Sequence, residues 1–347
     1  MRYALVALIA VTFVALAGEF ATGGSELWKF KGYSFATAYM YGMEDADPDM
    51  EFFAMTDLAW LPMVNDYLDA KVEAKLYSYD GVIHLEDVYL NLHFSDQVCL
   101  QGGQFKQPIG YGYLESGSGL RFLHRPLYTD YAGFGIYGGR DIGFGLLTDF
   151  GMGGIDLTYT NGSGANQMEN DSNKMVHLHG WAMPAEWVEI GGSFAMYSAD
   201  DPADTTETFS TNGFGGYAVV DYPASPSIDV GFIAEYLSLG WWGPEVTGTE
   251  TKSAGIYTVE LNANFGVENA WILTGVQPAV RYEQVDPATQ LPEGAGDPED
   301  NYGAIDFCLN LHMTSMNTLQ IGARNYSYEF EDMDGYTDIY LNWRMKF

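Results

Sequence analysis

The end of the chain constrains its fold most. Ile339, Leu341, Trp343, Met345 and Phe347 alternate with Tyr340, Asn342, Arg344 and Lys346. Period two is the mark of a strand. A strand that is apolar on one face and polar or cationic on the other fits a wall between lipid and water. The pattern recurs. Val88, Leu90, Leu92 and Phe94 interleave with Asp87, Tyr89, Asn91 and His93, and Ile305, Phe307, Leu309 and Leu311 with Asp306, Cys308 and Asn310. Tyr257, Val259, Leu261, Ala263 and Phe265 repeat it against Thr258, Glu260, Asn262 and Asn264. Half-buried strands of a soluble sandwich also alternate, but their outward faces carry more lysine and glutamate than these.

The segments divide into about sixteen strands of roughly 9–14 residues, the length expected of tilted membrane strands. Expected centres run from Tyr33 to Leu341, with Gly275 for the thirteenth strand. Their connections alternate short and long. Short ones are expected near residues 63–66, 95–97, 151–153, Pro184, 223–226, 266–269 and 314–316. Long ones are expected at 42–51, 107–139, 161–173, 199–212, 240–252 and 284–300, with brief ones at 79–82 and 331–335 on the same side. Barrels of the outer membrane segregate short periplasmic turns from long surface loops in this way. The fold class expected is therefore all-β: a closed transmembrane antiparallel barrel, since only closure satisfies every backbone group in lipid.

The N-terminus reads as an export signal, residues 1–17. Arg2 precedes an uncharged apolar run from Ala4 to Ala17 that ends in Ala15-Leu16-Ala17, the small-x-small pattern of cleavage. The run is shorter than the roughly 20 residues a membrane helix needs. Residues 18–347 would then be a single barrel. With 15 Lys+Arg against 47 Asp+Glu, a net charge of −32, the chain lacks the basic surface a nucleic-acid partner requires.

Residues 85–147 carry a more specific likeness. LEDVYLNLHF (85–94), GGQFKQPIG (102–110), LRFLHRPL (120–127) and GGRDIGFGLL (138–147) follow one another as strand, turn, strand, insert and strand. This stretch resembles the phosphate-selective porin family, the O and P type. The resemblance implies a sixteen-stranded barrel, a homotrimer, and a third surface loop folded into the lumen as a constriction. Residues 107–139 are the third and longest long-side connection, rich in glycine joints and aromatic anchors.

Members of that family line their pores with many arginines and lysines, whereas this chain has few. On inward parity stand Lys71, Lys75, Arg324, Arg344 and Lys346; Lys106, Arg121, Arg125 and Arg140 flank or occupy the 107–139 loop. Lys29, Lys31, Lys174, Lys252 and Arg281 are expected closer to loops or rims. The acids gather in loops, as in Glu44, Asp45, Asp47, Asp49 and Glu51, giving a negative mouth. Charge rings at a constriction set ion selectivity. Cations in the loop favour anions and an acidic mouth concentrates cations, so the two effects oppose each other and phosphate specificity does not follow.

Other chemistry is poorly supported. His177 and His179 share a face, but two imidazoles without a third ligand read as polar wall residues rather than a metal site. The acidic loops lack the spaced Asp-x-Asp-x-Asp-Gly pattern of a calcium loop. No Gly-x-Ser-x-Gly elbow is present, and no catalysis or cofactor is expected. Cys99 and Cys308 fall on strands nearly a diameter apart, so they should be unpaired. The functional expectation is a passive channel for small hydrophilic solutes or inorganic ions in the outer membrane of a Gram-negative-type bacterium, in contact with lipid and lipopolysaccharide. The alternative is a non-conducting surface or adhesion barrel acting through its acidic loops.

Overall fold

The computed structural model describes residues 28–41, 50–130, 134, 137–168, 174–200, 208–241, 252–268, 272–286, 302–328 and 335–347. The expected leader, residues 1–17, lies outside these, as do the acidic segments 42–49, 201–207, 287–301 and 329–334. Within them run β1 (Trp28–Met40), β2 (Met50–Asn65), β3 (Leu68–Tyr77), β4 (Ile83–Ser95), β5 (Val98–Lys106), β6 (Arg140–Thr148), β7 (Gly153–Thr160) and β8 (Met175–Ala185). The second half contains β9 (Val188–Asp200), β10 (Thr208–Ser225), β11 (Ile228–Trp241), β12 (Lys252–Gly266), β13 (Gly275–Asp286), β14 (Tyr302–His312), β15 (Asn317–Tyr328) and β16 (Thr337–Lys346).

Each strand pairs antiparallel with its sequence neighbours, and β1 closes the ring on β16, from Tyr33 opposite Lys346 to Met40 opposite Ile339. The fold is the expected closed sixteen-stranded barrel. Burial is inverted relative to a soluble protein. Ile339, Leu341 and Trp343 are exposed on the outer face, while Tyr340, Asn342 and Arg344 of the same strand are buried inside. The same inversion exposes Phe307 and buries Asp306 and Asn310. Many polar groups inside bond one another or the inserted loop; the apolar outer face is suited to hydrocarbon.

The tight turns at 66–67, 96–97, 186–187 and 226–227 gather at one end, and each is flanked by a register shift. Two of them correct the sequence reading. Pro184 and Pro223 lie within β8 and β10 rather than in turns. The shifts at Ala182/Ala185 and Pro223/Ser225 accommodate residues that cannot donate to the ladder.

Another bulge matters more for the interior. Val72 faces Val88, but Ala74 faces Leu85, so β4 holds an extra residue opposite Glu73. Glu86 and Asp87, adjacent in sequence, therefore both turn inward, against the alternation. Each reaches Arg140.

Candidate solute passage

The described residues of the 107–139 loop fold into the lumen and dock along β11 to β16. The loop begins at Gly110, whose φ of 79° suits glycine, and makes one helical turn, Tyr111–Leu114. Glu235 of β11 caps that turn. Its carboxylate accepts from the Tyr111 and Gly112 amides and from the Tyr128 hydroxyl, the last at 3.0 Å. Further along, Arg121 pairs with Glu260 of β12 and with Glu115 at 3.4 Å. Asn310 donates to the Arg121 carbonyl at 3.0 Å, and Arg344 to the Leu120 carbonyl at 2.5 Å. Aromatic packing finishes the seam. Ile109, Tyr128, Phe134 and Tyr137 are buried against Leu237, Leu239 and Ile256.

The centre of the dock is a buried quartet. Arg281 meets Asp306 at 2.8 Å and Glu283 at 3.2 Å; Arg324 meets Glu283 at 2.8 Å and Asp306 at 3.6 Å. Two cations and two carboxylates thus balance. Their spare atoms grip the loop. Arg281 donates to the carbonyls of His124 and Arg125 at 3.0 and 3.2 Å, and Glu283 accepts from the Leu127 amide at 2.6 Å. The ring of His124 rests edge-on to Tyr39 and Tyr340. Burial, then the Arg324 guanidinium, lowers its pKa to about 4.

On the opposite side a cavity of about 600 Å³ separates the loop from the wall of β1 to β6 and the end of β16. Lys31, Lys71 and Lys75 line it, with Lys106, Arg125, Arg140 and Lys346. Seven of the chain's 15 lysines and arginines therefore face one space. Only Asp57, Glu73 and Asp87 among its lining residues are acidic side chains. Lys71 bonds Asp87 at 2.6 Å, Lys75 bonds Glu86 at 3.0 Å, and Arg140 joins Glu86 and Asp87. Among the described residues Lys31, Lys106, Arg125 and Lys346 form no ion pair. Lys106 and Arg125 instead donate to the Tyr113 carbonyl and lie over the Tyr113 ring.

The sequence-expected residues therefore divide in two. Lys71, Lys75, Lys106, Arg125 and Arg140 face the cavity, whereas Arg121, Arg324 and Arg344 hold the loop. Arg281 corrects the sequence reading, which set it near loops or rims; Lys31, expected there too, is exposed near the start of β1 and also lines the cavity. Arg281 is wholly inside because β13 starts at Gly275, which puts residue 281 mid-strand on the inner face. Glu235, Glu260 and Glu283 were missed as loop anchors, although inward parity marks each of them. His177 Nε2 donates to the carbonyl of Tyr137 in the inserted loop at 2.8 Å. His179 sits 3.2 Å from Asp156 and 3.3 Å from the Tyr217 hydroxyl. No metal-binding group of three such side chains occurs among the described residues. Cys99 and Cys308 are both free thiols.

No model of a known protein family matches the chain, and no curated protein matches it. Solved structures do. The chain has the fold of the outer-membrane porins. OprB of Pseudomonas putida, in its high-pH structure, shares 8% identity over 92% of this chain and 94% of its own, with a TM-score of 0.67. The outer membrane channel DcaP of Acinetobacter baumannii shares 13% over 92% and 97%, with a TM-score of 0.57. OmpT of Vibrio cholerae, in a trimer form, shares 12% over 93% and 100%, with a TM-score of 0.53. These neighbours carry the fold, and the phosphate-selective family finds no support among them.

Proposed function

We propose that this chain is an outer-membrane diffusion channel whose passage runs between the inserted loop and the β1–β6 wall and prefers small anions to cations. The observation that carries this reading is an inversion of charge. Acids outnumber bases by 47 to 15 in the whole chain, yet seven cationic and three acidic side chains line the cavity. Rings of fixed charge at a narrow, low-dielectric constriction outweigh more distant charge, which salt screens. Placement in the membrane rests on the apolar outer face and on the likeness to outer-membrane proteins. A trimer is supported by the likeness to OmpT in its trimer form.

The test is electrical. Mature protein refolded in detergent, shown folded by a heat-modifiable gel shift, is added to a planar bilayer. Discrete, stable conductance steps are expected. Folded, inserted protein that never conducts would overturn the channel reading and favour a surface barrel working through its acidic loops.

A further inference from the structure

We propose that the cavity contains a subsite for the carboxylate of a small organic anion, with Lys106 and Arg125 taking the carboxylate and the neighbouring apolar wall taking the carbon body. This rests on the reading of the chain as an anion-preferring channel.

The geometry of the two cations comes first. Lys106 Nζ donates to the Tyr113 carbonyl at 2.8 Å, and Arg125 Nη1 donates to the same oxygen at 2.9 Å. Two nitrogens on one oxygen at ordinary hydrogen-bond lengths stand within about 6 Å of each other. Their other contacts are also neutral. Lys106 reaches the Glu115 carbonyl at 3.4 Å, and Arg125 the Gly112 carbonyl at 2.9 Å. Neither has a carboxylate in ion-pair reach among the described residues. The three wall cations Lys71, Lys75 and Arg140 differ, because Glu73, Glu86 and Asp87 neutralise them. An ammonium beside a planar guanidinium fork suits a two-oxygen anion.

The rest of the wall narrows the class. Ala59, Leu61 and Leu114 line the same space, with the rings of Tyr33 and Tyr89. A hydrated inorganic ion gains nothing from such surface, whereas an organic anion buries carbon there. The volume, about 600 Å³, is large enough for a small organic molecule, and these side chains are the apolar part of an otherwise charged lining.

Single-channel chloride current is recorded with benzoate or inorganic phosphate added to the bath. Benzoate should reduce the current saturably, and at least about tenfold more potently than phosphate. Lys106→Gln and Arg125→Gln should each raise the half-blocking concentration about tenfold, the equivalent of one strong contact. Leu114→Ser, at the cavity-lining residue next to Tyr113, should weaken benzoate and leave phosphate unchanged. Lys106→Arg, which keeps the charge, should retain the block and controls for folding. Equal potency of benzoate and phosphate, or no saturable block, would overturn the subsite. In either case an anionic reversal potential would leave the anion preference standing, whereas a cationic one would remove both that preference and the subsite.

Discussion

Lys106 and Arg125 share one acceptor, the carbonyl oxygen of Tyr113, at 2.8 and 2.9 Å. Two unit charges within about 6 Å of each other repel by at least about 3 kcal/mol at an effective dielectric of about 20. The pair is held by the docked loop and by the Tyr113 ring, 4.9 Å from Lys106 Nζ and 5.6 Å from the Arg125 guanidinium. Lys106→Glu would replace this surplus with a carboxylate facing Arg125. The anion-to-cation permeability ratio should fall several-fold, read as a shift of reversal potential toward the cationic side. An unshifted potential would mean that ions do not pass this pair.

The quartet of Arg281, Glu283, Asp306 and Arg324 anchors residues 124–127 of the loop. Breaking a buried pair by removing one partner strands a charge and costs about 3–5 kcal/mol. Arg281→Leu should therefore free the loop, enlarge the conductance and lower the temperature of the heat-modifiable gel shift. Arg281→Leu with Asp306→Leu should be milder than Arg281→Leu alone. A single variant no worse than the double would contradict this role.

Glu235 receives three donors from the loop, two amides and a phenol. Glu235→Gln keeps the shape but leaves one of its two atoms a donor facing other donors, a loss of about 1–3 kcal/mol. Limited proteolysis of the folded barrel should then cleave within residues 107–139 faster than in the parent protein. Unchanged cleavage would show that the aromatic seam suffices.

His124 sets a pH dependence. Its pKa falls from 6.5 to about 4 when the loop is docked, by burial and by Arg324. An undocked loop binds a proton below about pH 6.5 that the docked loop refuses until about pH 4. Docking is therefore at full strength above about pH 6.5 and weakens as pH falls toward 4, by about 3 kcal/mol in all. Arg324, Asp306 and Arg281 also carry charge facing this ring, so the comparison is with His124→Phe, which keeps the edge-on packing against Tyr39 and Tyr340. The parent should lose more of its gel-shift temperature between pH 7.5 and pH 4.5 than the variant. Equal losses would contradict the assignment.

The barrel was legible in the sequence because lipid outside and water inside give every strand two chemically distinct faces, as in residues 339–346. The inserted loop was legible as a long connection of glycines and aromatics. Its dock was not. Glu235 lies 124 residues from Tyr111, and parity says only that a side chain points inward, not what it meets. Arg324 and Arg344 likewise read as pore cations, yet the loop's own carbonyls occupy them. The bulge at Glu86 and Asp87 was hidden for the opposite reason, since strict alternation sends one of two neighbours outward. Without that bulge Arg140 would lose one of its three inward acids, Glu73, Glu86 and Asp87, and the charge of the cavity would change.

The most direct measurement is the reversal potential of the open channel across a potassium chloride gradient at neutral pH. The account predicts the anionic sign, set by Lys31, Lys106, Arg125 and Lys346 along the cavity beside the loop. A cationic sign would mean that the acids of the mouth govern permeation, and would contradict it.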